Sequence, residues 1–581
     1  MSAGVPPIPT RGLASWLPGL WVLRHYQRAW LTRDVGAGFV LTALLVPAGM
    51  GYAQASGLPA VHGLYATVAG LVAYAVFGPS RILVFGPDSA LAPMIATVVV
   101  GHAAGDPERA VALSSMLALF TAALCVGAGL AKAGFLTDLL SKPVRVGYLN
   151  GIALTVLVTQ MPKLFGFSAG TYDVTHGIAA FARGVLAGET RPPALIIGGC
   201  CVAIILLTRR FTPRVPGVLI AVILATVAVT ALDLGAALSV VGVVPHGLPL
   251  PAFPRVRLGE LGELLVAAAG IALVAFADTS VLSRTFAART GQRVDPNREL
   301  IGLGLANLAA GLFRGFPTSG SASRTPVAES AGSRTQLTGL VSALLVVVSL
   351  VAAPTLLRNL PTTALAAVVI AAALNIFDLG ALRVFYRVRP ADFVLSMVAF
   401  LAVAGLGVLN GIGIAIAVSL LDVVRRAWRP HDAILGRSAG VKGYHDVRRY
   451  TDAKQIPGLL LFRWDAPLFF ANAETFRTRI LAAVDAAAAP VRWVVVAAEP
   501  ITDVDTTAAE TLEELDAELA TRGAELAFAE LKDPVKDRLQ RYGLEKRIGR
   551  EFFFPTLGVA VKAFLSRHPV DWVDWEETTK D

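Results

Sequence analysis

The chain has 581 residues, of which 55% are hydrophobic and only 16% charged, where a soluble protein carries about 25% charged residues. Its net charge of +9 comes from basic residues in short segments between apolar runs; without a basic stripe and interleaved aromatic residues this argues against nucleic acid as a partner. Cys125, Cys200 and Cys201 all lie in apolar runs, which argues against a disulfide framework or a zinc site and leaves them as packing residues.

Residues 1–33 hold four arginines but no isolated apolar core followed by a small-residue cleavage site. They read as a cytoplasmic N-terminal segment without a cleaved signal peptide. From 34 to 427 apolar runs follow one another, and a membrane span needs about 20 apolar residues. The pattern predicts fourteen spans, at 34–53, 59–77, 87–101, 110–132, 147–164, 194–208, 216–232, 261–282, 299–313, 320–332, 337–356, 362–377, 391–407 and 410–424. The segment 171–190 is too short and mixed for a span and reads as an interfacial helix. Positive charge alternates between the loops. Arg24, Arg28 and Arg33 share a side with Arg81, with Lys132, Lys142 and Arg145, and with Arg209, Arg210 and Arg214. The groups Arg284, Arg289, Arg293 and Arg298, then Arg383, Arg387 and Arg389, then Arg425, Arg426 and Arg429 fall on that side too. The positive-inside bias therefore puts both termini in the cytoplasm, with the chain in the inner membrane.

Two spans are interrupted. The third opens with Val84-Phe85-Gly86-Pro87-Asp88-Ser89 and the tenth with Gly315-Phe316-Pro317-Thr318-Ser319-Gly320-Ser321-Ala322-Ser323-Arg324. Each is third in its set of seven, which suggests two inverted repeats with a binding site between the broken segments. A helix that starts within the membrane points unpaired N–H groups and about half a positive charge into a cavity. Two such ends facing each other make an anion site. The candidate anion contacts are Phe85, Gly86, Ser89 and Ala90 on one side and Ser321, Ala322, Ser323 and Arg324 on the other. Arg324 brings a fork of parallel donors suited to an oxyanion. The competing reading has it snorkel to a surface or pair with Asp88 or Glu329.

Asp278, in Ala275-Phe276-Ala277-Asp278-Thr279-Ser280, sits in an apolar run where a carboxylate has to be protonated or paired. It is a candidate proton carrier, or a sodium ligand together with Thr279. The alternative is a static ion pair with Arg324 or Arg284. Asp88 either caps the third helix or joins a cation site; capping and pairing is the preferred reading. Glycine pairs such as Gly302-Leu303-Gly304 lack the strand–glycine–helix context of a nucleotide loop. The histidines show no metal spacing, and no Ser/His/Asp arrangement is legible. The expectation is a protein that is no enzyme and uses no cofactor beyond a coupling proton or sodium ion.

Residues 428–457 read as a linker. From Gly458 the periodicity changes to strands at 459–462, 491–497 and 525–529, alternating with helices at 473–487, 506–521, 534–542 and 557–566. This is a small α/β domain over 458–570, followed by a tail, 571–581. Thr506 and Thr507 stand at a helix start, where hydroxyls serve as caps or, alternatively, as a phosphorylation switch.

Several of these segments resemble the SulP (sulfate permease) family. Val46-Pro47, Met50-Gly51-Tyr52-Ala53, Gly57-Leu58-Pro59-Ala60 and Gly63-Leu64-Tyr65-Ala66 are similar to its signature around the first two helices. Residues 320–337 are similar to its tenth-helix signature, and Asn297-Arg298-Glu299-Leu300 with Gly304 and Asn307 to its ninth helix. Pro467-Leu468-Phe469-Phe470-Ala471-Asn472-Ala473 and Asp503-Val504-Asp505-Thr506-Thr507-Ala508 resemble its C-terminal STAS domain. The resemblance implies an all-α polytopic membrane domain of fourteen spans in two inverted repeats, with core and gate domains, an elevator motion and a homodimer, followed by the α/β STAS domain. It implies an anion site between the third and tenth helices. In a mammalian member a Ser-Arg pair of the tenth-helix motif contacts the anion, and Ser323-Arg324 stands there in this chain. It links the acidic position of the eighth helix, here Asp278, to proton or sodium coupling. Ala48 stands where many relatives have Gln, and Asp88 is also a departure; both bear on substrate choice. The expected function is secondary active transport of a small inorganic oxyanion, sulfate first and sodium-coupled bicarbonate second. The other classes weighed are an uncoupled exchanger or channel, a nucleobase transporter, which Arg324 and the STAS domain count against, and a receptor whose STAS domain engages a cytoplasmic protein partner.

Overall fold

Backbone groups surrounded by apolar side chains and lipid can be satisfied internally by helices, and each of the fourteen expected segments contains one. The computed structural model describes residues 16–135, 141–169, 174–212, 216–242, 245, 247–289, 294–352 and 354–572. Residues 1–15, Arg214, Arg293 and residues 573–581 of the expected tail lie outside the described residues. In chain order the helices are α1 (Leu31–Ala55), α2 (Val61–Phe77), α3 (Ala92–Ala103), α4 (Pro107–Leu130), α5 (Lys142–Leu164), α6 (Pro192–Phe211) and α7 (Gly217–Ala231). The second set is α8 (Leu261–Arg289), α9 (Pro296–Leu312), α10 (Arg324–Ser330), α11 (Leu337–Ala352), α12 (Thr362–Ile376), α13 (Pro390–Leu406) and α14 (Val408–Trp428). The stretches containing α1, α4, α6, α8, α12 and α14 are long and apolar enough to cross a membrane by length and composition. A helix Val174–Leu186 forms within the segment expected to be interfacial, whose residues 171–173 lie outside the described residues. A further amphipathic helix, Leu379–Val388, fills the basic stretch before α13.

The chain divides between Ser419 and Leu420 into two compact units. In the first, α1–α4 pack with α8–α11: α9 lies against α4 and α2, α8 against α4, and α11 against α1 and α2. A second group forms around α5, which packs against α12 and α13, while α12 also packs against α6 and α6 against α7. Small residues set the closest approaches. A methyl group added at Gly63 would lie 1.9 Å from the Gly49 carbonyl oxygen, so α1 and α2 cross with backbone against backbone, as helices in lipid do where glycines meet.

The two interrupted segments depart from the expected helix starts. α3 begins at Ala92 and α10 at Arg324, because each is preceded by a short extended segment and then a turn. Strands β1 (Phe85–Gly86) and β2 (Ser319–Gly320) pair antiparallel, Phe85 with Gly320 and Gly86 with Ser319. Gly86 has φ +154° and is followed by Pro87, which has no N–H to donate; that combination favours extension over a helical turn.

The second unit holds a six-stranded sheet. Its strands are β3 (Asp432–Gly436), β4 (His445–Asp446), β5 (Leu459–Trp464), β6 (Trp493–Ala497), β7 (Glu525–Ala529) and β8 (Phe553–Phe554), in the order β4-β3-β5-β6-β7-β8. β5 to β8 run parallel, and β3 is antiparallel to both β4 and β5. All five residues of β6 are buried, as a central parallel strand requires. Helices α15 (Ala473–Asp485), α16 (Thr506–Thr521), α17 (Asp533–Arg541) and α18 (Leu557–Arg567) alternate with the strands. The stretch read as a linker thus supplies β3 and β4. Asp432-Ala433-Ile434-Leu435-Gly436 buries Ala433, Leu435 and Gly436, and so few apolar residues do not stand out until a neighbouring strand covers them.

Candidate functional site

The crossing of β1 and β2 brings the starts of α3 and α10 together, and polar side chains from α8, α9, α10 and the turn before α11 hold it there. Asn307 on α9 clamps Thr318: its Oδ1 accepts from the Thr318 N–H at 2.8 Å and its Nδ2 donates to the Thr318 carbonyl at 3.0 Å. Thr279 on α8 accepts from the Gly320 N–H at 3.0 Å. Gln336, just before α11, donates to the carbonyls of Ser80 and Leu83, both at 2.9 Å. Thr325 accepts from the Val84 N–H at 3.1 Å, and Ser321 N–H donates to the Val84 carbonyl at 2.9 Å. Every one of these groups is buried, where an unmade hydrogen bond costs about 1–3 kcal/mol, so the crossing is fixed in one register. Phe85 is fully buried and stacks on Tyr74 of α2 at 4.9 Å between centroids.

Arg324 lies in this crossing at 3% exposure. Its Nε donates to Ser321 Oγ at 2.8 Å, and its Nη2 donates to the Pro87 carbonyl and stands 4.0 Å from an Asp88 carboxylate oxygen. Nη1 is buried and has no hydrogen-bond partner among the described residues; it faces Gly86, where an added methyl would lie 3.5 Å away. The guanidinium carbon is 6.0 Å from the centre of the Tyr52 ring on α1, within cation–π range. Arg324 therefore does not snorkel away, and Glu329, the other carboxylate considered for it, is paired with Arg289 at 2.8 Å. Asp88 pairs but does not cap α3: its Oδ1 accepts from the Ala90 N–H at 3.0 Å within the turn before the helix, whose N-cap position is Leu91, while Oδ2 faces Arg324.

The other expected contacts divide by burial. Ser89, Ala90 and Ser321 are buried beside Arg324, and Tyr52 lies next to Ser89 and Asp88. Ala322 and Ser323 are exposed at the start of α10, with Ser323 Oγ 3.4 Å from Ser321 Oγ. Asp278 is half-buried on α8, one residue from the Thr279 that anchors β2. It makes no hydrogen bond or ion pair among the described residues, so the static pair with Arg324 or Arg284 does not form; Arg284 instead donates to Ser280 at 3.2 Å. Its electrostatic neighbours are Asp88, Arg145 and Tyr148 of α5. Tyr148 is fully buried with its hydroxyl unpartnered among the described residues. Thr506 and Thr507 are exposed on the first turn of α16, but neither hydroxyl is the cap. Asp505 is, accepting from the Ala508 N–H at 2.8 Å, because its carboxylate precedes the first helical residue.

Sequence reasoning missed Tyr52, Tyr148, Asn307 and Gln336 as parts of this arrangement. Gln336 is hidden behind the polar run Ser333-Arg334-Thr335, whereas Asn307 carried a signal, a polar amide in an apolar run. The tyrosines did not, since an aromatic residue in a span reads as packing.

Chemically, the crossing offers a buried guanidinium with an open donor beside Gly86, and hydroxyls from two chain segments. That donor set fits a small oxyanion. Among the described residues no group of three or more His, Cys, Asp or Glu side chains is placed to hold a metal ion.

Two family profiles match the chain, the sulfate permease family over residues 31–399 and the STAS domain over 450–560. A probable sulfate transporter of Mycobacterium tuberculosis is 43% identical over 561 residues, which is 96% of this chain and 100% of that protein. Human solute carrier family 26 member 6 is 32% identical over 493 residues, 80% of this chain and 64% of that protein. The murine Slc26a9 anion transporter, solved in an inward-facing state, superposes with a TM-score of 0.88 over 98% of this chain and 96% of that one, at 22% identity. Likeness at that identity is one of fold, and it establishes the helical membrane part followed by an α/β STAS domain. The chain belongs to the sulfate permease family and is a transmembrane protein with a C-terminal STAS domain.

Proposed function

We propose that this protein is a secondary active transporter that carries a small inorganic oxyanion, sulfate first, across the inner membrane in symport with protons. The observation that carries the reading is Arg324, buried between the starts of α3 and α10 with one guanidinium nitrogen unpartnered among the described residues. A buried cation with an open donor is costly by itself and is compensated when an anion supplies the missing acceptor. The names of its relatives, a probable sulfate transporter among them, support an anion as cargo. Ser89, Ser321 and the backbone around Phe85, Gly86 and Ala90 complete the contacts, and Ser323 and Ala322 line the exposed approach. Asp278, unpaired and beside the anchor Thr279, carries the coupling proton. Thr506 and Thr507, exposed where a phosphate would meet a helix N-terminus, are the regulatory positions, reading a cytoplasmic partner. The chain spans the membrane fourteen times with both termini cytoplasmic and works as a homodimer, its core helices moving as a rigid body against the gate. The membrane domain runs from 34 to 427, and the C-terminal domain begins with β3.

The test is uptake of labelled sulfate into proteoliposomes with and without an inward proton gradient, for wild type, Arg324→Gln and Asp278→Asn. Gradient-stimulated uptake is expected in the wild type. Arg324→Gln should lose saturable uptake, and Asp278→Asn should lose the stimulation. Folded wild-type protein that takes up bicarbonate with sodium, but no sulfate, would overturn the substrate and the coupling ion together.

A further inference from the structure

Away from the Arg324 crossing, a cavity of about 750 Å³ opens where the C-terminal ends of α1 and α5 meet the N-terminal ends of α6 and α12. It is lined from both helix groups, by Gln54 in the last turn of α1 and Leu58 after it, and by Lys163, Arg191 and Thr363 of the others. Lys163 Nζ donates to the Gln54 carbonyl at 2.9 Å, and Arg191 Nη1 donates to the Ala237 carbonyl at 3.2 Å. Among the described residues neither cation has a carboxylate within ion-pair distance. An ammonium has three donors and a guanidinium five, so among the described residues most of the hydrogen-bonding capacity of these two lining cations is unused. Beside them Thr190 Oγ1 is buried without a hydrogen-bond partner among the described residues. Glu189 is the carboxylate in the lining; it is exposed and pairs with neither cation, so the wall keeps an excess of positive charge.

We infer that this cavity is a second oxyanion site, held by Lys163, Arg191 and the Thr190 hydroxyl, which receives the anion at the outer mouth before it reaches Arg324. The inference rests on the proposed function for the direction of travel, since the loops at these helix ends are those placed outside by the charge pattern. The chemistry is that of a capture site. Its cations sit on flexible stems in a roomy, open cavity, so the anion keeps part of its water and is held more weakly than beside the buried Arg324. Two unpaired cations at a mouth raise the local anion concentration and the rate of entry, and the effect weakens with salt.

The experiment counts bound sulfate. Full-length protein in phosphatidylcholine nanodiscs is titrated with labelled sulfate to millimolar concentration in equilibrium dialysis. Wild type is expected to bind two sulfates per chain. Lys163→Gln and Arg191→Gln, each checked for monodispersity, should bind one, Lys163→Arg should keep two, and Arg324→Gln should bind one. One sulfate in the wild type that survives Lys163→Gln and Arg191→Gln but not Arg324→Gln overturns the second site and leaves the proposed function standing. One sulfate that survives Arg324→Gln but not Lys163→Gln does the reverse. If phosphatidylglycerol in the nanodisc displaces the sulfate that depends on Lys163, the occupant is a lipid phosphate, and the assignment to a free oxyanion is overturned. In transport, Lys163→Gln should raise KM for outside sulfate about tenfold, with kcat within about twofold, and the increase should shrink at high salt.

Discussion

Arg324 is held by Ser321 and the Pro87 carbonyl through two of its nitrogens, which leaves the third to meet a ligand. A lysine in its place keeps the charge but loses the planar fork. Arg324→Lys should therefore weaken sulfate binding by about 2 kcal/mol, roughly 30-fold in Kd, measured by titration of the purified protein. Asn307 presents a different kind of sensitivity, because both of its amide groups serve the Thr318 backbone. Asn307→Ala strands a buried N–H and a buried carbonyl and should cost about 2–4 kcal/mol, seen as a lowered thermal midpoint in detergent. Asn307→Asp keeps the acceptor for the Thr318 N–H but turns a buried carboxylate toward the Leu303 and Thr318 carbonyls, so its midpoint should fall at least as far as that of Asn307→Ala. An unchanged midpoint for Asn307→Ala would show that water replaces the amide and that the clamp is not needed.

The elements around the site depend on close approach more than on length. α10 has only seven helical residues, and its position comes from β2 and from the turn that follows it. That turn is tied to the start of α1 by Asp34, fully buried, which accepts from the backbone N–H groups of Arg334 and Thr335 at 2.6 and 3.1 Å and from the Thr335 and Thr338 hydroxyls at 2.7 and 3.1 Å. Asp34→Ala leaves these four donors and the Tyr26 hydroxyl facing an empty acceptor, and a loss of about 3 kcal/mol is expected. The same construction explains the glycines of α1 and α2. Gly63→Ala would drive a methyl into the Gly49 carbonyl and should cost about 1–3 kcal/mol through separation of the two helices. A melting curve for each variant against wild type decides both; a shift under one degree would mean that the contact yields freely.

At the scale of the whole molecule the two units have separate cores. The C-terminal one is built around Trp493, fully buried and packed within 5.2 to 5.9 Å of the rings of Phe552, Phe554 and Phe564. Residues 430–572 expressed alone should fold and melt in one cooperative step, because the sheet from β4 to β8 is complete within them. Trp493→Ala in that fragment should cost about 3–5 kcal/mol, read from denaturant titration. A fragment that begins at 458, without β3 and β4, would leave the long flank of β5 as an open edge and should aggregate.

The amino-acid sequence by itself determined the two-part organisation, because a run of apolar residues long enough for a bilayer has no soluble alternative and the change in periodicity near Gly458 is abrupt. It also pointed to the broken third and tenth segments, since in both Gly and Pro stand together just before a short apolar stretch. Arg324 and Asp278 stood out for the same local reason, a charge where neighbours are apolar. What only the tertiary structure decided is who faces whom. The pairing of Phe85 with Gly320 joins residues more than two hundred positions apart, and no local pattern encodes it. Whether Asp278 was paired, whether Glu329 was free for Arg324, and whether Thr506 or Asp505 capped its helix were all questions of distance. The short strands β3 and β4 were hidden for a related reason: a strand's burial is defined by the sheet that covers it, and the sheet exists only after the chain has folded.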